Sequence, residues 1–227
     1  MARGSIMRRF AKWHIWLGWL VGVPILMWTV SGFIMVVRPI ETVRGEHLRT
    51  EAALIPAGET ATLHLEGAAR SVTLLTFPDG PGWVVVHEDG QRARYSPEDG
   101  EMVAPPDEDA VRAFAEAAYR GNAALEKVAL IDPQDPPTDF RAPVPAWQAH
   151  FADGTNVYIH RHTGEVLALR TRWWRIYDFM WGLHIMDLQT RQDFNHPILI
   201  GFAALGAIGS LLGCVLMFRR RKARVSG

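Results

Sequence analysis

The sequence predicts a membrane α+β protein, with two transmembrane helices flanking an exported domain of two tandem helix-plus-antiparallel-sheet units. Three observations carry that expectation. Two long runs, residues 13–37 and 197–218, contain no charged side chain. All 24 acidic residues lie between Glu41 and Asp193, so the two ends of the chain are purely basic. Between the runs, residues 83–103 recur at 147–167 with a constant offset of 64.

The elements follow in order. Residues 1–12 form a basic tail with Arg3, Arg8, Arg9 and Lys12. The first span, 13–37, reaches about 37 Å as a helix, more than the roughly 30 Å hydrocarbon layer. It ends in Val36-Val37-Arg38-Pro39 rather than a small-x-small cleavage site, so it reads as a retained anchor and not as a signal peptide. Trp13, Trp16 and Trp19 suit an interfacial belt, whereas Trp28 lies deep and suggests packing or a cofactor wall. The second span, 197–218, reaches about 33 Å and opens with Pro197, which the first helical turn tolerates because its amide has no intrahelical partner. Residues 219–227 are again basic, with Arg219, Arg220, Arg221, Lys222 and Arg224. Basic flanks stay on the cytoplasmic side, so both termini are expected there and the central domain outside.

Small residues in the second span (Gly201, Ala203, Gly206, Ala207, Gly209, Gly213) allow another helix to approach closely. Gly18, Gly22, Ser31 and Gly32 of the first span are the expected receiving surface, and the same surfaces would also serve a homodimer.

The central domain, 38–172, is expected to hold two copies of one unit. The offset of 64 aligns Trp83 with Trp147, Asp89-Gly90 with Asp153-Gly154, and Gly100-Glu101 with Gly164-Glu165. Each copy describes a strand, an Asp-Gly hairpin turn and a second strand; a looser turn then leads into a third. A strand precedes each hairpin, at 72–77 and 126–131, and a helix lies upstream of each, at 59–69 and 107–120. The second copy carries an additional Pro- and Asp-rich loop from Asp132 to Pro145. Residues 173–196 mix Trp173, Trp174, Tyr177, Met180 and Trp181 with Arg175, Asp178 and Asp187, the pattern of an amphipathic segment lying at the outer interface.

Several functions are excluded. Residues 38–196 carry fifteen basic and 24 acidic side chains, a net of −9, which disfavours nucleic acid. The single cysteine, Cys214, sits in the second span, so no intrachain disulfide forms and no exposed thiol nucleophile is available. There is no Gly-x-Ser-x-Gly, no His-Glu-x-x-His, no phosphate-binding glycine loop and no dinucleotide fingerprint.

His14-Ile-Trp-Leu-Gly-Trp-Leu-Val-Gly22, with Ser31-Gly32 and the exit Arg38-Pro-Ile-Glu41, resembles the first span of PepSY-associated transmembrane proteins. Tyr158-Ile-His-Arg-His-Thr-Gly-Glu-Val-Leu167 resembles the closing strand pair of a PepSY domain, and Leu183-His184 resembles the opening of that family's next span. The resemblance implies a bacterial inner-membrane protein with tandem PepSY-like units in the periplasm. Larger relatives are iron-regulated, and some are similar to haem-bearing reductases of ferric siderophores. This chain departs from them in having two spans rather than four.

On that footing the candidate haem b ligands are His14, His184 and His196. Polar groups placed just inside a span are costly and tend to be functional. His14 lies near one end of its span and His184 and His196 near the other side, so His14 and His184 do not serve one haem in this topology. A bis-histidine site then needs His184 with His196, the same histidine from two protomers, or a partner protein. On the second hairpin His160 and His162 share one face by strand alternation and are the candidate metal pair. Asp132, Asp135 and Asp139 form a further candidate for weak cation binding. The expected partners are the lipid bilayer, a second copy or another membrane subunit, and a ferric siderophore as substrate of a ferric-reductase-like activity. The alternative is a non-catalytic periplasmic interaction module that regulates a peptidase or a membrane partner through its open strand edges.

Overall fold

The computed structural model describes residues 2–51, 53–55, 63, 65 and 67–225. It divides into two compact units, one of residues 1–38 with 176–227 and one of residues 39–175. The helix expected at 59–69 falls largely outside the described residues.

The first unit contains α1 (Ala2–Val36), most of α4 (Arg172–His184) and α5 (Pro197–Val225). Ile6–Val36 and Pro197–Phe218 are long and apolar enough to cross a membrane. Both helices continue past the expected boundaries into their basic flanks, because arginine and lysine are good helix formers and nothing there breaks the ladder. Buried or half-buried positions on α1 recur every three or four residues at His14, Leu17, Val21, Pro24, Trp28, Ser31 and Met35. That stripe meets the glycines of α5. A Cβ built on Gly206 lies 3.9 Å from Ile25, one on Gly209 lies 3.8 Å from Leu17, and one on Gly213 lies 2.9 Å from His14. The contacts run in opposite order along the two helices, so the pair is antiparallel.

One part of the expected receiving surface is corrected. A Cβ on Gly18 or Gly22 meets nothing within 4 Å, and the one on Gly32 meets the ring of His184 at 3.5 Å. The α1–α5 seam therefore takes its small residues from α5 alone. The reason is angular: Gly18 and Gly22 fall off the three-four stripe that begins at His14 and Leu17.

The second unit, which begins with the short α2 (Ile40–Val43), carries two antiparallel sheets. The first is β1 (Ala69–Phe77), β2 (Gly80–His87) and β3 (Arg92–Tyr95). Then come α3 (Glu108–Ala118) and the second sheet, β4 (Leu125–Ile131), β5 (Ala146–Phe151), β6 (Asn156–His160) and β7 (Val166–Arg170). Asp107 accepts from the amide of Ala110 and so caps α3, whose Val111, Phe114 and Ala115 face inward.

The duplication holds bond by bond. In the two hairpins, the amides of Gln91 and Thr155 donate to the carboxylates of Asp89 and Asp153 at 2.9 and 2.8 Å. Gly90 and Gly154 take positive φ of 85° and 81°, as the Asp-Gly turn requires. Leu74 pairs with Trp83 and Leu130 with Trp147, so the offset between copies is 56 before the extra loop and 64 after it, an insertion of eight residues. One expectation fails: the third strand after Asp99-Gly100 is reduced to a single bridge between Tyr95 and Met102, whereas its counterpart after Gly164 is the full β7. In the second copy Ala168 and Leu169 are buried and hold the strand against a core, whereas Met102 is exposed.

A single core joins both copies. Phe77 and Val84 of the first sheet cluster with Val111, Phe114 and Tyr119, and with Phe151, Val157, Ile159 and Leu169 of the second. A smaller cluster of Phe140, Ala146, Tyr158 and Ala168 lies on the opposite face of the second sheet, beneath the extra loop.

Candidate functional site

In the helical unit the three candidate haem histidines sit at two levels of α1. The Nδ1 of His14 lies 3.1 Å from the carbonyl oxygen of Gly209. A carbonyl only accepts, so this bond places a proton on Nδ1. The absent side chain of Gly213 is what lets the ring lie against the α5 backbone.

His184 is held in the same sense. Its Nδ1 lies 3.0 Å from the Ser31 hydroxyl, which itself donates to the Trp28 carbonyl at 3.2 Å. Ser31 is 1% exposed and has one proton to give. With that proton on the Trp28 carbonyl, His184 must donate from Nδ1. Orientation of a histidine through an N–H bond on its distal nitrogen is the arrangement seen around ligating imidazoles.

His196 differs. Its Nε2 lies 3.0 Å from the carbonyl of Ile185, and its Nδ1 accepts from the amide of Leu199 at 3.5 Å. Both nitrogens are engaged, and the residue caps the start of α5 just ahead of Pro197. Its pairing with His184 on one iron is therefore not supported by the geometry.

The segment between α4 and α5 is tightly folded. The Asp187 carboxylate accepts from the Thr190 hydroxyl and from the amides of Gln189, Thr190, Gln192 and Asp193, which hold its pKa well below the usual carboxylate range. Arg191 pairs with the buried Asp178, and Trp181 donates to the Arg191 carbonyl at 3.1 Å. This framework fixes the C-terminal end of α4, where His184 is the last residue.

In the sheet unit the expected metal pair is corrected. β6 ends at His160, and His162 lies in the following turn, so the two do not share a strand face. His160 is 3% exposed. Its Nδ1 receives the amides of His162 and Thr163 at 3.3 and 3.2 Å. Burial, with Arg92 and His162 nearby, pushes its pKa down to about 4. The repeat explains this role: Ser96, 64 positions earlier, takes the amides of Glu98 and Asp99 on its hydroxyl at 3.2 and 3.5 Å. His160 is thus the second copy's turn cap, a signal the sequence contained in the alignment of Ser96 with His160. Among the described residues no group of three or more His, Cys, Asp or Glu is placed to hold a metal ion.

The acidic loop is likewise resolved. Asp132 caps the amide of Gln134. Asp139 turns inward, 6% exposed, and accepts from the Tyr158 hydroxyl at 2.5 Å, from Asn156 at 2.9 Å and from Arg175 at 3.3 Å. Burial and the adjoining carboxylate push the Tyr158 hydroxyl above its ordinary range. Arg170 donates to the Asp139 carbonyl and stacks 4.3 Å over Trp174. This buried network, which sequence reasoning missed, ties the extra loop to the second sheet. A groove of about 500 Å³ opens between α3, β1 and the turn before β7, lined by Leu75, Phe77, Phe114, Ala118 and Val166 with Arg49 at its rim.

A family model described as the PepSY-associated TM region matches residues 11–226. No curated protein and no solved structure matches the chain.

Proposed function

The chain belongs to the family of PepSY-associated transmembrane regions, and on that premise we propose that it is a haem-binding electron-transfer protein of the bacterial inner membrane. In this reading both termini are cytoplasmic, the sheet domain is periplasmic, and the electrons serve reduction of ferric iron, delivered as a ferric siderophore. The observation that carries it is the shared posture of His14 and His184: each ring is anchored through Nδ1 to its own unit.

The donor set fits haem b in one respect and limits it in another. Neutral, anchored imidazoles are the usual axial ligands of a low-spin haem. Two histidines that would hold one haem would have to come from the same depth. His14 and Ser31, beside which His184 sits, are seventeen residues apart on α1, about 26 Å along the axis. One chain would therefore offer one histidine at each of two depths. Haem bound at those positions would supply one-electron relay. The protein's own contribution is to fix each imidazole through Nδ1, against Ser31 and the Gly209 carbonyl. Each ferric ion takes one electron, and a nicotinamide- or flavin-bearing partner must provide it.

A reduced-minus-oxidised optical spectrum of the purified full-length chain tests the reading. A haem band is expected in the wild type and altered in His184→Ala and His14→Ala. No band, with the variants indistinguishable from wild type, removes it.

The groove beside β1 favours a second reading, a module that binds an extended peptide of a peptidase or membrane subunit. β1 is at the edge of its sheet, and added strands pair with such edges. Capture of a defined peptidase by a pigment-free preparation would support it.

A further inference from the structure

We propose that the groove beside β1 binds a short apolar peptide with free termini. Arg49 holds its carboxylate, Glu51 its ammonium group, and Leu75 and Phe114 its side chains. The proposal rests on the peptide-binding reading above, names the ligand of that groove, and is independent of haem.

The duplication shows what this face of the sheet takes. Leu75 pairs with Gly82 in the first copy, and Ile131 with Ala146 in the second, so Leu75 and Ile131 occupy the same register. In the second copy the extra loop lays Phe140, Ala142 and Val144 over that face. Residues two apart that share a face are those of an extended chain. The first copy lacks this insertion, and beside Leu75 lies the groove of about 500 Å³. That volume is within the usual range for a small-ligand pocket. An extended apolar peptide is thus what the second copy carries covalently over this register.

The floor is formed in advance. Phe77 and Phe114 are buried, with ring centroids 6.5 Å apart. Arg94 stacks 3.8 Å from the Phe77 centroid and is tied to Asp79 by two bonds of 3.0 and 2.8 Å. A floor fixed in this way spends little binding energy on reorganisation.

The rim supplies the charge. The Thr50 amide donates to the Ala118 carbonyl at 3.0 Å, and the Arg120 amide to the Leu48 carbonyl at 2.8 Å. Further along, the Thr76 hydroxyl donates to the Ala53 carbonyl at 3.0 Å. These bonds hold Arg49 and Glu51 at the mouth of the groove, where both are exposed. Among the described residues neither side chain has an ion-pair partner. The third charge on the lining, Glu165, is already paired with Arg92 at 2.7 Å. One uncompensated charge of each sign above an apolar floor complements a zwitterion with an apolar body. A simple apolar acid would satisfy Arg49 and leave Glu51 against its tail.

The test is isothermal titration calorimetry of the full-length chain in lipid nanodiscs, with empty nanodiscs as the blank. The probes are trileucine, acetyl-trileucine-amide, triglycine and octanoate. Trileucine is expected to saturate one site, with the other three weaker by roughly tenfold or more, the loss that follows from removing a charge-assisted bond. Arg49→Gln and Glu51→Gln, both at exposed positions, should each weaken trileucine and leave the capped peptide unchanged. Ala117→Leu, at an exposed helical position on the lining, fills the groove and should abolish binding of trileucine. Capped peptide or octanoate binding as tightly as trileucine overturns recognition of the two termini while leaving a ligand-binding groove. Trileucine binding that survives Ala117→Leu overturns the location. No binding of any peptide overturns the peptide reading itself.

Discussion

Lowering the pH from 7.5 to 4.5 should destabilise the sheet unit through one side chain, His160. Its Nδ1 receives two backbone amides, so protonation there would set an N–H against two N–H donors in a site 3% exposed. The folded pKa is accordingly held at about 4, against 6.5 for an unperturbed imidazole. Between those values the unfolded chain binds a proton that the folded chain refuses, so stability rises with pH across that window. The contribution is complete above pH 6.5 and is lost as the pH falls toward 4. A gap of about 2.5 units at 1.36 kcal/mol per unit corresponds to roughly 3 kcal/mol. The informative variant is His160→Ser, because Ser96 already performs the same capping in the first copy with a hydroxyl that does not titrate. Thermal unfolding of the full-length chain in detergent, followed by near-UV circular dichroism at pH 7.5, 5.5 and 4.5, separates the two proteins. The wild type should lose more stability than the variant as the pH falls, and the difference should approach the figure above. Carboxylates common to both proteins cancel in that comparison. Parallel pH profiles, or an NMR titration of His160 centred near 6.5, would refute the reasoning.

Three further outcomes follow from particular contacts. Asp139→Ala leaves Arg175 and the Tyr158 hydroxyl without their buried acceptor, and should cost about 3–5 kcal/mol in the same unfolding assay, whereas Asp139→Asn should cost less. Gly213→Leu drives a side chain into the ring of His14, whose Cε1 lies 2.9 Å from the position of a bare Cβ. It should loosen the α1–α5 pair, seen as faster proteolysis in detergent, while Gly18→Leu leaves that pair unchanged. Tyr119→Phe removes the 2.7 Å bond to the Asp153 carboxylate at the second hairpin and should lower stability by about 1 kcal/mol, read as a shift in the urea midpoint at constant slope.

The two spans, the duplication and most strand positions were legible in the sequence because each depends on local pattern. An uncharged run of membrane length, an Asp-Gly turn between alternating residues and a constant offset are properties of neighbouring positions along the chain. What only the tertiary structure decided was the partner of each polar group. His160 and His162 look alike in sequence, yet one is sealed in a turn by amides two and three residues on, because the strand ends where alternation would have continued it. Asp139 reads as one acid of a solvated loop until Tyr158, Asn156 and Arg175, drawn from later elements, converge on it. Gly18 and Gly22 match the spacing of Gly209 and Gly213, but only the latter pair faces a neighbour. Spacing along a helix defines a face; which face is covered depends on where the other helices are, and that is settled by packing over the whole unit.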